Sequence, residues 1–133
     1  MMPIVLLVLT AIFFFSIALF QKMQLAEAVS IGGRYLAVDR GDTDPCKSTA
    51  TQIYSAAPGF TQSKLTLTFT LNGVVTNGAS CPGTSGLANA NMVSGGAAQV
   101  QATYPCTLSF FPAFGHTPST TCSLTSRITE LVQ

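Results

Sequence analysis

Four cysteines carry the clearest chemistry in this chain: Cys46, Cys81, Cys106 and Cys122. No two of them form a Cys-x-x-Cys pair, and the one histidine stands apart from them all, so their spacing disfavours a zinc site. An even number of cysteines behind an apolar N-terminal segment favours disulfides in an oxidising compartment. Cys106 ends one predicted strand and Cys122 begins the next, so we expect these two to pair. Cys46 is then left for Cys81, although four cysteines permit three pairings.

The remaining polar residues predict no catalytic constellation. His116 has no acid close by in the sequence to orient it, and no nucleophile motif accompanies it. Asp39, Asp42 and Asp44 alternate loosely like a calcium loop but lack its closing glutamate. We therefore expect no enzyme activity, no metal, no cofactor and no small-molecule substrate. An exported enzyme would need a polar cleft around His116.

The low charge of the chain limits its partners. Only 8% of residues are charged and the formal net charge is +1. No basic stripe is present to neutralise phosphates, so nucleic acid is not an expected partner. Phe110, Phe111 and Phe114 are large apolar residues in a connection between predicted strands. We expect them to pack beneath the sheet. The alternative is that they form a patch that contacts a neighbouring subunit or the membrane surface.

The first predicted element of the chain is a membrane-spanning segment at the N-terminus. Residues 1–20 contain no charge, and about 20 such residues span a bilayer as a helix. A cleaved signal peptide is the alternative, supported by the small-x-small triplet Ala26-Glu27-Ala28. No basic residue precedes the run, and the run exceeds a signal h-region, so we predict that it is retained. Residues 1–21 then form the transmembrane half of a helix, and residues 22–133 an extracytoplasmic domain.

Helical periodicity continues beyond the membrane segment. Residues 4–38 predict one rod of about 52 Å, apolar all round at first and amphipathic afterwards. One apolar face is predicted to contain Met23, Ala26, Val29 and Gly33, with Leu25, Ala28, Gly32 and Leu36 beside it. The Gly32-Gly33 pair predicts either a bend or a close approach of another backbone. Arg34 and Tyr35 lie near the end of the rod, where Tyr35 is expected to cover the start of the domain core.

The rest of the chain predicts a small sheet. Asp44-Pro45 starts a short helix over residues 46–57. Alternating apolar residues predict strands over residues 65–71, 98–106 and 120–129, with Cys122, Leu124 and Ile128 of the last strand facing inward. Asn72-Gly73 and Asn77-Gly78 mark turns, and residues 80–96 predict a loop. The fold class is therefore α+β, with a long N-terminal helix packed on a three-stranded antiparallel sheet and one short helix.

Several segments together resemble the TadE-like family, small proteins with pilin-like N-termini from tight-adherence (Flp) pilus machinery. Pro3 enters the apolar run as the family proline does, and "AVSIGGRYLAV" resembles the family's "AAREGARYAAV" helix end. "AQVQATYPCTL" and "ITELVQ" resemble a family strand and its usual C-terminus, so the resemblance extends over nearly the whole chain. Members generally begin with a short basic leader and a glutamate before the run. Here the run follows Met1-Met2-Pro3 directly, so either the true start lies upstream or the chain is not processed.

The resemblance implies a single-pass minor pilin or pseudopilin of the bacterial inner membrane, with its C-terminal domain periplasmic or extracellular. Its partners would be membrane lipid and other pilins or assembly proteins. The candidate interaction residues are Gly32, Gly33, Arg34, Tyr35, Phe110, Phe111 and Phe114. The alternative function is a secreted, disulfide-bonded binding module released from a signal peptide.

Overall fold

The computed structural model describes residues 2–105 and 123–133. Helix α1 spans Met2–Val38, and helix α2 spans Pro45–Ala56. The strands are β1 (Thr66–Leu71), β2 (Val74–Asn77), β3 (Ala97–Pro105) and β4 (Ser123–Leu131). Short 3-10 helices occupy Gln62–Lys64 and Thr84–Gly86. The predicted α+β class and the long N-terminal helix are confirmed.

The described strands form one antiparallel sheet in the order β2-β1-β3-β4. The predicted number of three strands is wrong, because β2 was taken for part of a turn region. Asn72 and Gly73 have φ of 48° and 86°, the left-handed conformations of a two-residue hairpin turn. This turn pairs Leu71 with Val74 and places β2 at the sheet edge.

One face of the sheet is buried because its strands alternate apolar and polar residues. Phe69 of β1 lies opposite Val100 of β3, which lies opposite Ile128 of β4. Phe69 and Val100 are fully buried, and Ile128 packs against the core while remaining partly exposed. Leu124 does the same, so the predicted inward direction of these two β4 residues is confirmed, whereas Cys122 lies outside the described residues.

Helices α1 and α2 cover the buried face of the sheet. Ile53 of α2 is fully buried, and the second half of α1 contributes the residues described below. Phe60 is buried and makes an edge-to-face contact with Tyr104, with ring centroids 4.7 Å apart. The C-terminus is tied to the end of α1 because the Gln133 N–H donates to the Ala37 carbonyl at 2.9 Å. We call the sheet, α2 and their connections the head.

Candidate membrane anchor and assembly surface

The first half of α1 is exposed along most of its length. Every side chain from Pro3 to Phe20 is exposed, except that Phe14 and Ala18 are partly covered. Within the described residues, α1 is the one helix long and apolar enough to cross a membrane. The run from Pro3 to Phe20 is about 27 Å long at the helical rise, close to the roughly 30 Å hydrocarbon core of a bilayer. An exposed apolar rod of this length is suited to lipid or to other helices.

The two hydroxyl side chains of this half are satisfied inside the helix. Thr10 Oγ1 donates to the carbonyls of Leu6 and Leu7 at 3.0 and 2.9 Å. Ser16 Oγ donates to the Ile12 carbonyl at 2.9 Å. A polar group in hydrocarbon needs an internal partner, and these bonds supply one. The rod therefore carries no hydroxyl that opposes its insertion.

The second half of α1 packs one side against the head. Seven of its residues are buried: Leu25, Ala28, Val29, Gly32, Gly33, Leu36 and Ala37. The predicted face was partly wrong, because Met23 is 70% exposed and Ala26 is also exposed. The packed side is rotated away from these two residues because the head contacts α1 from the side of α2 and β4.

The two helical glycines lie where the head approaches closest. A Cβ atom on Gly32 would lie 2.7 Å from Ile53 Cδ1 and nearer still to Ile53 Cγ1. A Cβ atom on Gly33 would collide with Ile128 Cγ2. The helix continues through both residues to Val38, and the close approach at them is made by isoleucine side chains, not by the neighbouring backbone that the sequence predicted. Beside them, Arg34 is exposed and Tyr35 is half-buried.

A disulfide closes the head at the end of α1. Cys46 of α2 is bonded to Cys81 in the segment after β2. Asp44 connects the two sides of this bond through its carboxylate, which accepts from the Lys47 N–H at 3.2 Å and the Cys81 N–H at 2.8 Å. Ser80 Oγ donates to the second carboxylate oxygen of Asp44. The N-cap that the sequence predicted for α2 is thus also a tertiary bridge to the second cysteine.

The aspartates after α1 act as acceptors within the head. Ser48 Oγ and the Asp44 N–H donate to Asp42, and these bonds lower the pKa of the Asp42 carboxyl. Burial raises the pKa of Asp39, and the negative charge of Asp42 raises it further. One carboxylate oxygen of Asp39 is buried without a hydrogen-bond partner. Within residues 2–105 and 123–133, no three His, Cys, Asp or Glu side chains are grouped to hold a metal ion.

Buried Asn89 is a structural residue that sequence reasoning missed. Its side-chain amide donates to the Cys81 carbonyl at 2.7 Å, and its oxygen accepts from the Asn91 N–H at 2.9 Å. The Asn-x-Asn pattern is a local turn signal that could have indicated the second bond. Nothing in the sequence indicates the first, which joins residues from different turns of the loop. The remaining candidate residues lie outside the described residues: Cys106, Cys122, Phe110, Phe111, Phe114 and His116.

Comparison with known proteins bears on the helix alone. A family model described as TadE-like protein matches residues 1–34. The N-terminal segment is TadE-like. The TadE-like segment contains the whole exposed apolar half of α1 and most of its packed half, ending at Arg34. It confirms the family resemblance there, while the sheet and the disulfide lie outside the match. No curated protein and no solved structure matches the chain.

Proposed function

We propose that this protein is a membrane-anchored minor pilin or pseudopilin of a tight-adherence (Flp) pilus or a related secretion system. It acts by assembly with other pilins or assembly proteins and not as an enzyme. The exposed half of α1 inserts in the membrane or packs beside other pilin helices, and the head stands outside the cytoplasm.

The observation that carries this proposal is the continuity of α1. One helix joins a largely exposed apolar half to a half whose residues are part of the head's core. The TadE-like segment spans this transition. A rod that is rigidly joined to a small head transmits the position of its membrane half to the head, as an assembly subunit requires. The membrane segment and the head are thus parts of one structural unit.

The cysteine pair supports a position for the head. Disulfides persist in oxidising compartments and are rare in the cytoplasm. The Cys46–Cys81 bond closes a sequence separation of 35 residues in the head. We therefore place the head in the periplasm or at the cell exterior, with α1 as the single span of the inner membrane.

A secreted module is the second candidate, because Ala26-Glu27-Ala28 has the small-x-small pattern of a signal-peptide cleavage site. Cleavage after Ala28 would separate two fully buried residues, Leu25 and Ala28, from the core that they pack against. The loss of this packing favours retention.

Fractionation of membranes tests the choice between the two candidates. We expect the full-length protein to stay with membranes washed in high salt or alkaline carbonate and to leave them only in detergent. Sequencing of the mature N-terminus should find residues from the apolar half. Release by salt, or a mature chain that begins at Val29, would overturn the anchored pilin. Protease added to spheroplasts should digest the head while sparing a cytoplasmic marker.

A further inference from the structure

The side of α1 that faces away from the head carries a continuous line of exposed residues. They follow one another at steps of three or four residues, and we call them the outer stripe: Leu9, Phe13, Ser16, Phe20, Met23, Glu27, Ile31, Arg34 and Val38. Their spacing keeps them within one side of a helix over its whole length. The stripe therefore runs from the membrane half onto the outside of the packed half without interruption.

The stripe stays apolar where it leaves the membrane half. Met23, Ile31 and Val38 are 70%, 44% and 62% exposed. Near-heptad spacing of exposed apolar residues is the pattern with which one helix packs along another. A partner for this surface must continue beside the membrane half, so it is itself a membrane helix.

Two opposite charges interrupt the apolar part of the stripe. Glu27 and Arg34 are both exposed, and they are seven residues apart. Two helical turns separate them by about 10 Å, too far for an ion pair with each other. Each of them therefore points outward with a charge that a neighbouring molecule can match.

From this arrangement we propose that the outer stripe binds a second copy of this chain, parallel to the first and shifted along it by seven residues. The proposal rests on the proposed function in one respect: two copies anchored in one membrane with the same orientation must lie parallel. In register, Glu27 would face Glu27 and Arg34 would face Arg34, and like charges repel. A shift of seven residues places Glu27 of one copy against Arg34 of the other.

The same shift also brings several apolar residues of the stripe together, although Phe20 of one copy then lies level with Glu27 of the other. It sets Ile31 beside Val38, and Phe13 beside Phe20 within the membrane half. Ser16 is the small residue of the stripe there, and small residues allow helices to approach. Exposed ion pairs contribute little affinity, so the apolar contacts hold the helices together and the charges select the register.

The shifted contact is heterologous. Glu27 of one copy and Arg34 of its neighbour face each other, whereas Arg34 of the first copy lies level with Gly41, beyond the end of the neighbour's helix at Val38. Both copies use the same stripe, so the pair covers both stripes and the contact ends with two copies. The second copy stands about 10 Å further along the helix axis than the first, which helix tilt accommodates in part within a bilayer.

Disulfide trapping in membranes that contain the full chain tests the register. Two differently tagged copies are expressed together, one with Ile31→Cys and the other with Val38→Cys. We expect mild oxidation to join this mixed pair efficiently. The pairs with Ile31→Cys in both copies, or Val38→Cys in both, should join poorly because the shift separates them by two turns. Wild-type chains give the background from the native cysteines.

Charge reversal supplies the second arm of the test. In the mixed cysteine pair, Glu27→Arg in both copies should lower the trapped yield by roughly three- to tenfold, and Arg34→Glu should do the same. Both changes together restore opposite charges at the same spacing, so the yield should recover. Lys64→Glu reverses an exposed charge on the head, far from the stripe in sequence, and is the matched control.

Each other outcome overturns the proposal. A preference for 31–31 and 38–38 trapping means an in-register pair. Trapping to a different protein, or none above background, means that the partner is not a second copy. If the trapped yield is unchanged in the charge-reversal variants, the charges do not select the register. Fractionation of the same samples separates failure of the proposed register from failure of the proposed function. If the chains remain in salt-washed membranes but show no 31–38 trapping, the register is refuted and the membrane anchor is not.

Discussion

Asp39 and Asp42 lie three residues apart where α1 ends, and their carboxyl groups titrate in opposite directions. Asp42 is held ionised by the donors Ser48 and the Asp44 N–H. Asp39 is half-buried beside that charge, with one carboxylate oxygen lacking a partner. It also stands at the C-terminal end of a helix, where negative charge is unfavourable. At neutral pH the ionised Asp39 carboxylate therefore destabilises the folded head, whereas the Asp42 carboxylate stabilises it.

Asp39→Asn is expected to raise the stability of the head at pH 7. Because the folded state raises the pKa of Asp39, the folded chain binds this proton more tightly than the unfolded chain does. Stability is then lost as pH rises from the ordinary value of 3.8 through the raised pKa. Asparagine cannot ionise, so the variant should keep that stability at pH 7. Its free energy of unfolding should exceed that of the wild type by less than about 1 kcal/mol, because solvent screens the carboxyl group. Urea unfolding in detergent, followed by circular dichroism between pH 3 and pH 7, measures the difference.

Asp42→Asn is the matched control, with the opposite sign. The pKa of Asp42 is lowered in the folded state, so the carboxylate stabilises the fold above its ordinary pKa, and that stability is lost as pH falls through the lowered value. The amide should lower stability at pH 7. If both variants changed stability in the same direction, the opposite roles of the two carboxyl groups would be refuted.

At the scale of elements, the join between α1 and the head depends on two residues without side chains. Gly32 faces Ile53 of α2, and Gly33 faces Ile128 of β4. Isoleucine is branched at Cβ and turns poorly out of the way. Each glycine therefore sets how closely a whole element can approach the helix.

Gly32→Ala is expected to destabilise the head although alanine favours a helix. The gain in helix propensity is about 1 kcal/mol, and overpacking a filled core costs about 1–3 kcal/mol. The net loss should be up to about 2 kcal/mol in urea unfolding. Gly41→Ala is the control because nothing lies within 4 Å of its new Cβ atom, and it should be neutral or slightly stabilising. Adding Ile53→Val to Gly32→Ala removes Cδ1 of residue 53 and should recover part of the lost stability. If the double variant instead lost the sum of the stabilities that the two single variants lose, the contact between the two residues would be contradicted.

Sequence patterns predicted these elements well where the period was long enough to count. The alternation in β1 and β3 and the N-cap of α2 located those elements to within one residue. The strand β2 was missed because the three residues between the two Asn-Gly pairs show no alternation of their own, and pairing with β1 alone defines it. The packed side of α1 was partly missed because Met23 and Ala26 fit the helical period as well as the residues that are buried. Only the position of α2 and β4 decides which side is covered.

At the scale of the whole molecule, α1 belongs to two environments. Its apolar half is largely exposed, and its packed half supplies fully buried residues to the head's core. The sequence predicted this division from the change in polarity after Phe20. It could not predict the link between Asp44, Ser80 and Cys81, because these residues are brought together by the fold of the loop and not by local spacing.

The division predicts that the head can be released from the membrane only if the packed half goes with it. A chain of residues 22–133 keeps every buried residue of α1, so we expect it to be recovered without detergent and to unfold near the midpoint of the full chain. A chain of residues 29–133 lacks Leu25 and Ala28. Loss of a buried leucine alone costs about 2–5 kcal/mol, a large part of the stability of a small domain. We expect this shorter chain to be unfolded or to melt at a much lower temperature.

Two point variants in the chain of residues 22–133 separate loss of packing from loss of helix length. Leu25 is fully buried, whereas Met23, on the same helix, is 70% exposed. Leu25→Ala should lower the free energy of unfolding by about 2–5 kcal/mol, and Met23→Ala should leave it within about 0.5 kcal/mol. Thermal and urea unfolding measure both. If the chain that begins at Val29 were as stable as the longer one, the packed half of α1 would not be part of the head, and a cleaved signal peptide would become the better account of the N-terminus.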